Sequence, residues 1–388
     1  MNAKRLIWWV VSLAGVAACE REYPADPAAG TSDRILFGTP VLSVETRSTF
    51  KNALDPGDEF GVLGYCVPYT VGTTAPDYNA GSSPWVLKKA QCPPEVFYDQ
   101  RVVVGANGCR YDRNGGTDND PKYWYRDGYD TNNSANGAIV GTDRYRYSFF
   151  AWYPYEGAFT IDRPNGSAEA GAPVFTFTMP QTGSSLSDPL EHGNTPDAMV
   201  AVLYNRTKED GNLRFNFSHV LTGIGFQVNN LSEYDLTVHS VSLSGSFYKD
   251  VTIDLTGDNS QFSFSSARYT GSYALLSEDL SLPAPAEGTT ATSSGLIGGE
   301  HLLLISGTGT SFGENVTVNI KYTFNGQPGD QRMARPGTFT PRPGVKYTAQ
   351  LNFVGETFVL QFVVDNGEQW EDGGADDGRE DNDDIVFE

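Results

Sequence analysis

An all-β chain, arranged as two tandem β-sandwiches behind an export signal, is the fold class the sequence predicts. Three observations carry this. The composition is rich in Gly (42), Tyr (20) and Phe (22), a mix that favours strands and turns over helices. Apolar residues alternate in many short runs bounded by turn residues. Apart from short ambiguous stretches, no segment repeats them at i, i+3, i+4 and i+7. The 388 residues are too many for one sandwich and comfortable for two domains of ordinary size.

The chain opens with a signal. Lys4 and Arg5 form a basic start, and Leu6 to Ala18 is a mainly apolar run of 13 residues. That is too short to span a bilayer and right for a signal-peptide core. Val16-Ala17-Ala18-Cys19 resembles a bacterial lipobox, in which the cysteine becomes the N-terminus and carries lipid. Residues 1–18 are therefore read as a lipoprotein signal peptide and Cys19 as the lipidated residue; a plain secretory signal cleaved at Ala18 is the alternative. Acyl chains contribute about 0.8 kcal/mol per buried CH₂, so a multiply acylated cysteine holds a protein on a membrane face. Residues 19–33, with Pro, Ala, Gly and charge, read as a tether.

Charge narrows the partners. The net charge is −21, and −23 once Lys4 and Arg5 leave with the signal. Such a surface repels phosphate backbones, so nucleic acid is not expected as a partner, and anionic lipid surfaces are repelled alike. Beyond Cys19, three cysteines remain in an oxidising compartment: Cys66, Cys92 and Cys109. One pair can form in three ways, and one thiol is left over.

The N-terminal domain is placed at 34–208. Ile35 and Phe37 share one parity and Leu42 and Val44 the other, with Pro40 between, as in a bulged or edge strand. Asp55-Pro56-Gly57-Asp58 signals a turn before the apolar run Phe60–Cys66. Residues 67–120 read as loop-rich, and Asp112, Asn114, Asp118 and Asp120 lack EF-hand spacing. Tyr145, Tyr147, Phe149, Ala151 and Tyr153 alternate cleanly, with an amphipathic opposite face that includes Phe150 and Trp152. A packed core accounts for these aromatics; a sugar-binding platform using Trp124 and Trp152 is the alternative reading. Val174 to Met179 reads as a further strand, and the run Asp197 to Tyr204 closes the domain.

A polar break at Lys208–Asn212 marks the start of the C-terminal domain, 209–388. Leu213, Phe215, Phe217 and His219 share a face, and His219 is read as a core-edge histidine bonded to backbone. Strands are expected at 224–228, 236–238, 241–243, 251–255, 262–264, 302–305, 316–324, 347–353 and 358–364. From Asp365 to Glu388 there are 11 acidic residues and one basic, Arg379. Such a run is ordinarily solvated. The apolar triplet Ile385-Val386-Phe387 that follows it has no such explanation.

No G-x-S-x-G, H-E-x-x-H, Walker A or Cys/His arrangement occurs, and Gly307-Thr308-Gly309 lacks the third glycine of a dinucleotide loop. The chain is not expected to be an enzyme or to hold a cofactor or metal.

The order of several short motifs resembles the fimbrillin family of type V pili. These are the lipobox, a strand ending in Thr46-Arg47, Gly-Asp-x-Phe-Gly-Val-x-Gly-Tyr (Gly57 to Tyr65), and Phe149-x-Ala151-Trp152-Tyr153-Pro154-Tyr155. Asp197-Ala198-Met199, Phe217-Ser218-His219-Val220-Leu221, and Trp370 before an acidic end complete the set. The resemblance implies two transthyretin-like sandwiches and transport to the outer membrane as a lipoprotein. It also implies removal of the first strand by an arginine-specific protease and filling of the groove by the C-terminal segment of another subunit. Carried onto this chain, the cut falls after Arg47 and frees Ser48, with Arg34 as the alternative, and the donor residues are Ile385, Val386 and Phe387. The implied role is a structural subunit of a cell-surface pilus. A pilus anchor, a tip adhesin subunit and a surface glycan-binding lipoprotein are the competing readings.

Overall fold

A computed structural model describes residues 34–42, 51, 53–70, 94, 96–111, 122, 124, 143–161, 173–180, 195–207, 210–255, 261–276, 278–299, 301–306, 313–334, 339 and 341–369. Among these the chain is all-β, with four sheets and a 3-10 turn at Ile297–Gly299.

The largest sheet has seven strands. Its order is β1 (Val41–Leu42), β9 (Asn216–His219), β8 (Met199–Arg206), β5 (Asp143–Tyr153), β2 (Glu59–Thr70), β3 (Phe97–Gly105) and β4 (Gly108–Tyr111). Its central strands bury both faces. Phe60 and Val62 on β2, Tyr147, Phe149 and Ala151 on β5, and Met199 and Ala201 on β8 share one core with Phe37, Phe97 and Phe215. Leu63, Tyr65, Phe150, Trp152 and Val200 point the other way into a second core. The face of β5 expected to be amphipathic is thus buried, with Ser148 and Phe150 at 0% exposure. The cause is a second, four-stranded sheet lying against it, β13 (Gln261–Phe264), β12 (Asp250–Asp254), β7 (Val174–Thr178) and β6 (Phe159–Ile161). Phe175 of that sheet packs 5.2 Å from the Trp152 ring.

Trp152 also lies flat against Gly61. A Cβ there would stand 2.0 Å from the indole Cζ2. Gly61→Ala is therefore expected to cost roughly 1–3 kcal/mol by overpacking, seen as a lower urea midpoint with unchanged slope; an unshifted midpoint would refute the close packing.

Two further sheets form the other half. One is β16 (Thr292–Leu296), β10 (Thr222–Asn230), β20 (Val345–Val354) and β21 (Thr357–Gln369), with β17 (Leu302–Leu304) also on β10. The other is β14 (Arg268–Ala274), β11 (Leu236–Tyr248), β18 (Gly313–Phe324) and β19 (Gln327–Ala334), with β15 (Leu280–Leu282) on β11. They meet through Tyr322 and Phe324 of β18 against Phe353 of β20, at 5.3 and 4.9 Å. The runs expected at 236–238 and 241–243 are one strand, β11, with a bulge between Val238 and Ser240 that separates them.

β21 is an edge strand, and its open side is covered at Phe358. The Gln331 side-chain amide donates to the Phe358 carbonyl at 2.7 Å and accepts from the Phe358 amide at 2.8 Å. Phe339 stacks on Phe362 at 3.9 Å.

Two pieces of sequence beyond residue 208 pair with the first half. β9 joins β8 and β1, and β12 joins β7 directly after β11 ends. The stretch 97–111, expected to be loop, is a hairpin of β3 and β4.

Candidate functional site: the seat of the first strand

The site is the place where residues 34–42 enter the seven-stranded sheet. Leu213, Phe215 and Phe217 alternate toward the core, which leaves the backbone edge of 213–217 free to receive a strand. The first segment runs parallel to it. Gly38 N donates to Leu213 O at 2.8 Å, Leu213 N to Leu36 O at 2.9 Å, and Val41 N to Phe215 O at 2.9 Å.

The same segment is bonded on its other side. Ile35 N donates to Lys122 O at 2.8 Å, and Cys109 N of β4 to Phe37 O at 2.9 Å. Tyr111 Oη donates to Ile35 O at 2.9 Å. Residues 35–38 are therefore bonded on one side to Leu213, in the run leading into β9, and on the other to Cys109 of β4.

Side chains seat the segment more firmly than its short strand suggests. Phe37 is 2% exposed and Ile35 fully buried. The Phe37 ring lies 5.3 Å from Phe215, 5.5 Å from Phe97, 5.7 Å from Phe149 and 6.0 Å from Tyr111. Each such side chain contributes about 1.5–3 kcal/mol by leaving water. The segment also carries a bulge. Phe37 bridges Leu213 and Val41 pairs with Asn216, so four residues of the segment span three of its partner. That extra residue moves burial from the parity of Ile35 and Phe37 to that of Pro40 and Leu42.

The chain is next fixed at Lys51. Its backbone N donates to Asp197 Oδ2 at 2.8 Å, and the other oxygen of Asp197 accepts from His219 Nδ1 at 2.7 Å. Asp197 and His219 are buried. Lys51 Nζ reaches Asp58 at 2.8 Å and Asp55 at 3.2 Å. Burial works against the Lys51 charge, but the bond to Asp58 and the nearby Tyr153 and Asp55 outweigh it and raise its pKa above the ordinary lysine value. The Tyr153 hydroxyl donates to Asp58 at 3.3 Å; burial, then the Asp58 charge, push its pKa up to about 12, so it stays a donor. Leu42 pairs with Phe217, and His219 lies two residues further along β9. The two described ends of the first segment's exit are thus held at neighbouring points of one strand.

His219 differs from its expectation in its partner: a carboxylate, not backbone. The antiparallel register of β8 and β9 pairs Met199 with His219 and brings Asp197 within reach. The signal for it was present, since a histidine on the inward parity of a strand needs a buried partner. Trp124 and Trp152 are core residues, 3% and 1% exposed, so neither offers a ring face to a sugar. Trp124 packs edge-on to Tyr147 at 4.8 Å. Arg34 is half-buried at the start of the segment. Cys66 is buried, and the half-buried Cys109 places its Sγ 3.3 Å from Gly38 O. Cys19, Arg47, Ser48, Cys92, Ile385, Val386 and Phe387 lie outside the described residues.

Fold and site together define an all-β protein whose N-terminal segment completes a sheet begun by distant strands. The fimbrillin-like family profile matches residues 122–364, more than half of the chain, and the chain belongs to that family. It is a pilus protein of the cell surface, structural and not enzymatic. Among solved structures, a Bacteroides ovatus protein described as a cell adhesion protein is 17% identical over 87% of this chain and 96% of that one, with a TM-score of 0.41. The fimbrial anchor protein Mfa2 from Porphyromonas gingivalis is 11% identical over 84% of this chain and 94% of that one, with a TM-score of 0.28. The tip fimbrial protein Mfa3 from the same organism, C-terminally truncated, is 9% identical over 80% and 94%, with a TM-score of 0.30. No curated protein matches the chain.

Proposed function

We infer that the chain is a structural subunit of a type V pilus that polymerises by strand exchange. In this reading it is exported as a lipoprotein held at Cys19 and folds as two tandem transthyretin-like sandwiches, 34–208 and 209–388 in sequence. The second contributes β9 and the β12–β13 hairpin to the first. An arginine-specific protease cuts after Arg47, frees Ser48 and releases the first strand, and the segment with Ile385, Val386 and Phe387 from another subunit fills the seat.

The observation that supports this best is the seat itself. Ile35 and Phe37 are buried, and their backbone is bonded on both sides, so their departure would uncover an apolar groove with open donors and acceptors. The Asp197–His219 pair holds Lys51 independently, so the chain beyond the cut would keep its place. Cutting after Arg34 instead would leave the buried residues attached.

The test is treatment of the purified, unlipidated protein with an arginine-specific protease. A Ser48 N-terminus followed by ladders of polymer is expected. A stable, uncut monomer would sink the reading and favour an anchor subunit. Deleting residues 384–388 is expected to abolish the ladders by at least tenfold in polymer yield; undiminished ladders would show that the donor lies elsewhere.

A further inference from the structure

We propose that Thr323 is a covalent modification site, a nucleophile with His239 as its base and Asp279 as a positioning residue, that takes the acyl group of an aryl ester or a thioester. The proposal is independent of the strand-exchange reading.

Three strands bring the trio together. Tyr322 and Phe324 of β18 pack toward the core, so Thr323 between them faces outward. The β11–β18 ladder passes from Val238 opposite Tyr322 to Ser240 opposite Lys321, which leaves His239 as the extra residue of a bulge. Bulges of this kind re-aim a side chain. Here the ring meets Thr323, with Nε2 at 2.7 Å from Oγ1. Asp279 directly precedes β15, whose Leu280 pairs with Val238, the neighbour of His239. Its Oδ2 lies 3.0 Å from His239 Nδ1. The three residues stand at 239, 279 and 323, so no spacing along the chain announces them.

The geometry fixes the roles. A carboxylate oxygen can only accept, so Nδ1, which faces Asp279, carries the ring proton. In the neutral ring Nε2 is then the acceptor, and the Thr323 hydroxyl donates to it. Nucleophile, base and orienting group follow in that order. Thr323 Oγ1 attacks the carbonyl carbon of the donor and passes its proton to Nε2. The donor's C–O or C–S bond breaks, and Nε2 gives the proton to the departing phenolate or thiolate. The acyl group stays on Thr323, because threonine's alkoxide is a far poorer leaving group than either. One acyl group per chain is a modification and not a turnover. Side-chain exposures of 40% for His239 and 63% for Asp279 admit a small donor, and they keep the acceleration modest because water weakens each charge interaction.

The test incubates the full, unlipidated chain with p-nitrophenyl acetate and, separately, with the acetyl thioester of N-acetylcysteamine, and maps acetyl groups by peptide mass. Thr237, which pairs with Thr323 across the ladder, is the internal reference. Lys321, exposed two residues away on the same face, competes for the donor, but acylation there gives an amide. Hydroxylamine removes the ester and leaves the amide. Hydroxylamine-labile acetyl on Thr323 is expected, forming about tenfold or more faster than on Thr237. Thr323→Val should abolish it, and His239→Gln should reduce it to the Thr237 rate. Asp279→Asn should slow it about threefold, with recovery in Asp279→Glu. Acetyl confined to lysines, or Thr323 no faster than Thr237, would overturn the proposal without recourse to any variant. Equal labelling in His239→Gln would overturn the base, leaving the trio a hydrogen-bonded surface contact. Equal labelling in Asp279→Asn would overturn the positioning role.

Discussion

Phe37→Ala in the intact chain is expected to release residues 35–42 from the sheet while the rest of the fold persists. Removing a phenylalanine from a well-packed site costs roughly 3–5 kcal/mol, through lost transfer free energy and the cavity left behind. Here four aromatic rings surround the side chain. Without that ring the segment keeps the buried Ile35 and its backbone bonds, but little regular pairing. It holds a two-residue strand and one bridge, interrupted by a bulge, and Val41 is 48% exposed. The loss should therefore appear as local opening rather than global unfolding. Hydrogen exchange measures it: amides of 35–42 should lose nearly all protection, while those of β18 at 316–324 keep theirs. In the unsubstituted chain the segment should already exchange faster than β18. Equal protection of the two, before or after substitution, would contradict a segment built to leave. Arginine-specific cutting should also quicken in the variant.

Asp197→Ala is expected to lower global stability by roughly 3–5 kcal/mol, the usual cost of removing one partner from a buried charged or hydrogen-bonded pair. The carboxylate accepts from two groups that have been withdrawn from water, His219 Nδ1 and the Lys51 amide. Alanine leaves both donors unpaired. Asp197→Asn is the informative companion: it keeps one acceptor and should lose about half as much. Urea unfolding followed by tryptophan fluorescence reads both. A midpoint for Asp197→Ala within error of the parent would mean that the pair carries no stability. Because Lys51 leads into the Asp55–Asp58 turn, the alanine variant should also expose that turn to proteolysis.

Much of the fold was legible where one side of a strand meets a core and the other does not. Val316, Val318 and Ile320 alternate because β18 is of that kind, and all three are buried. Legibility failed where that premise failed. β5 is covered on both faces, so its Phe150 and Trp152 read as an amphipathic side that does not exist. β19, with the sequence Gln327-Pro328-Gly329-Asp330-Gln331-Arg332-Met333-Ala334, is an edge strand whose only buried residue is Met333, and it leaves almost no period to detect. The hairpin at 97–111 was hidden by the compact run Val102-Val103-Val104, which has no alternation of its own. The site divides in the same way. Ile35 and Phe37 were visible as one face of a first strand, but their neighbours were not, since Lys122, Cys109 and Leu213 are distant in sequence. Asp197 and His219 stand 22 residues apart and meet only through the register of β8 and β9.

The amide of Gln331 has a consequence for the shape of any assembly. It occupies, on Phe358, the positions that a neighbouring chain's backbone would bond. An exposed strand margin is an invitation to side-by-side fusion, and this one is closed by a single side chain imitating a strand. In a pilus built of such subunits, the stretch of β21 around Phe358 would already be occupied and could not zip onto a neighbouring filament.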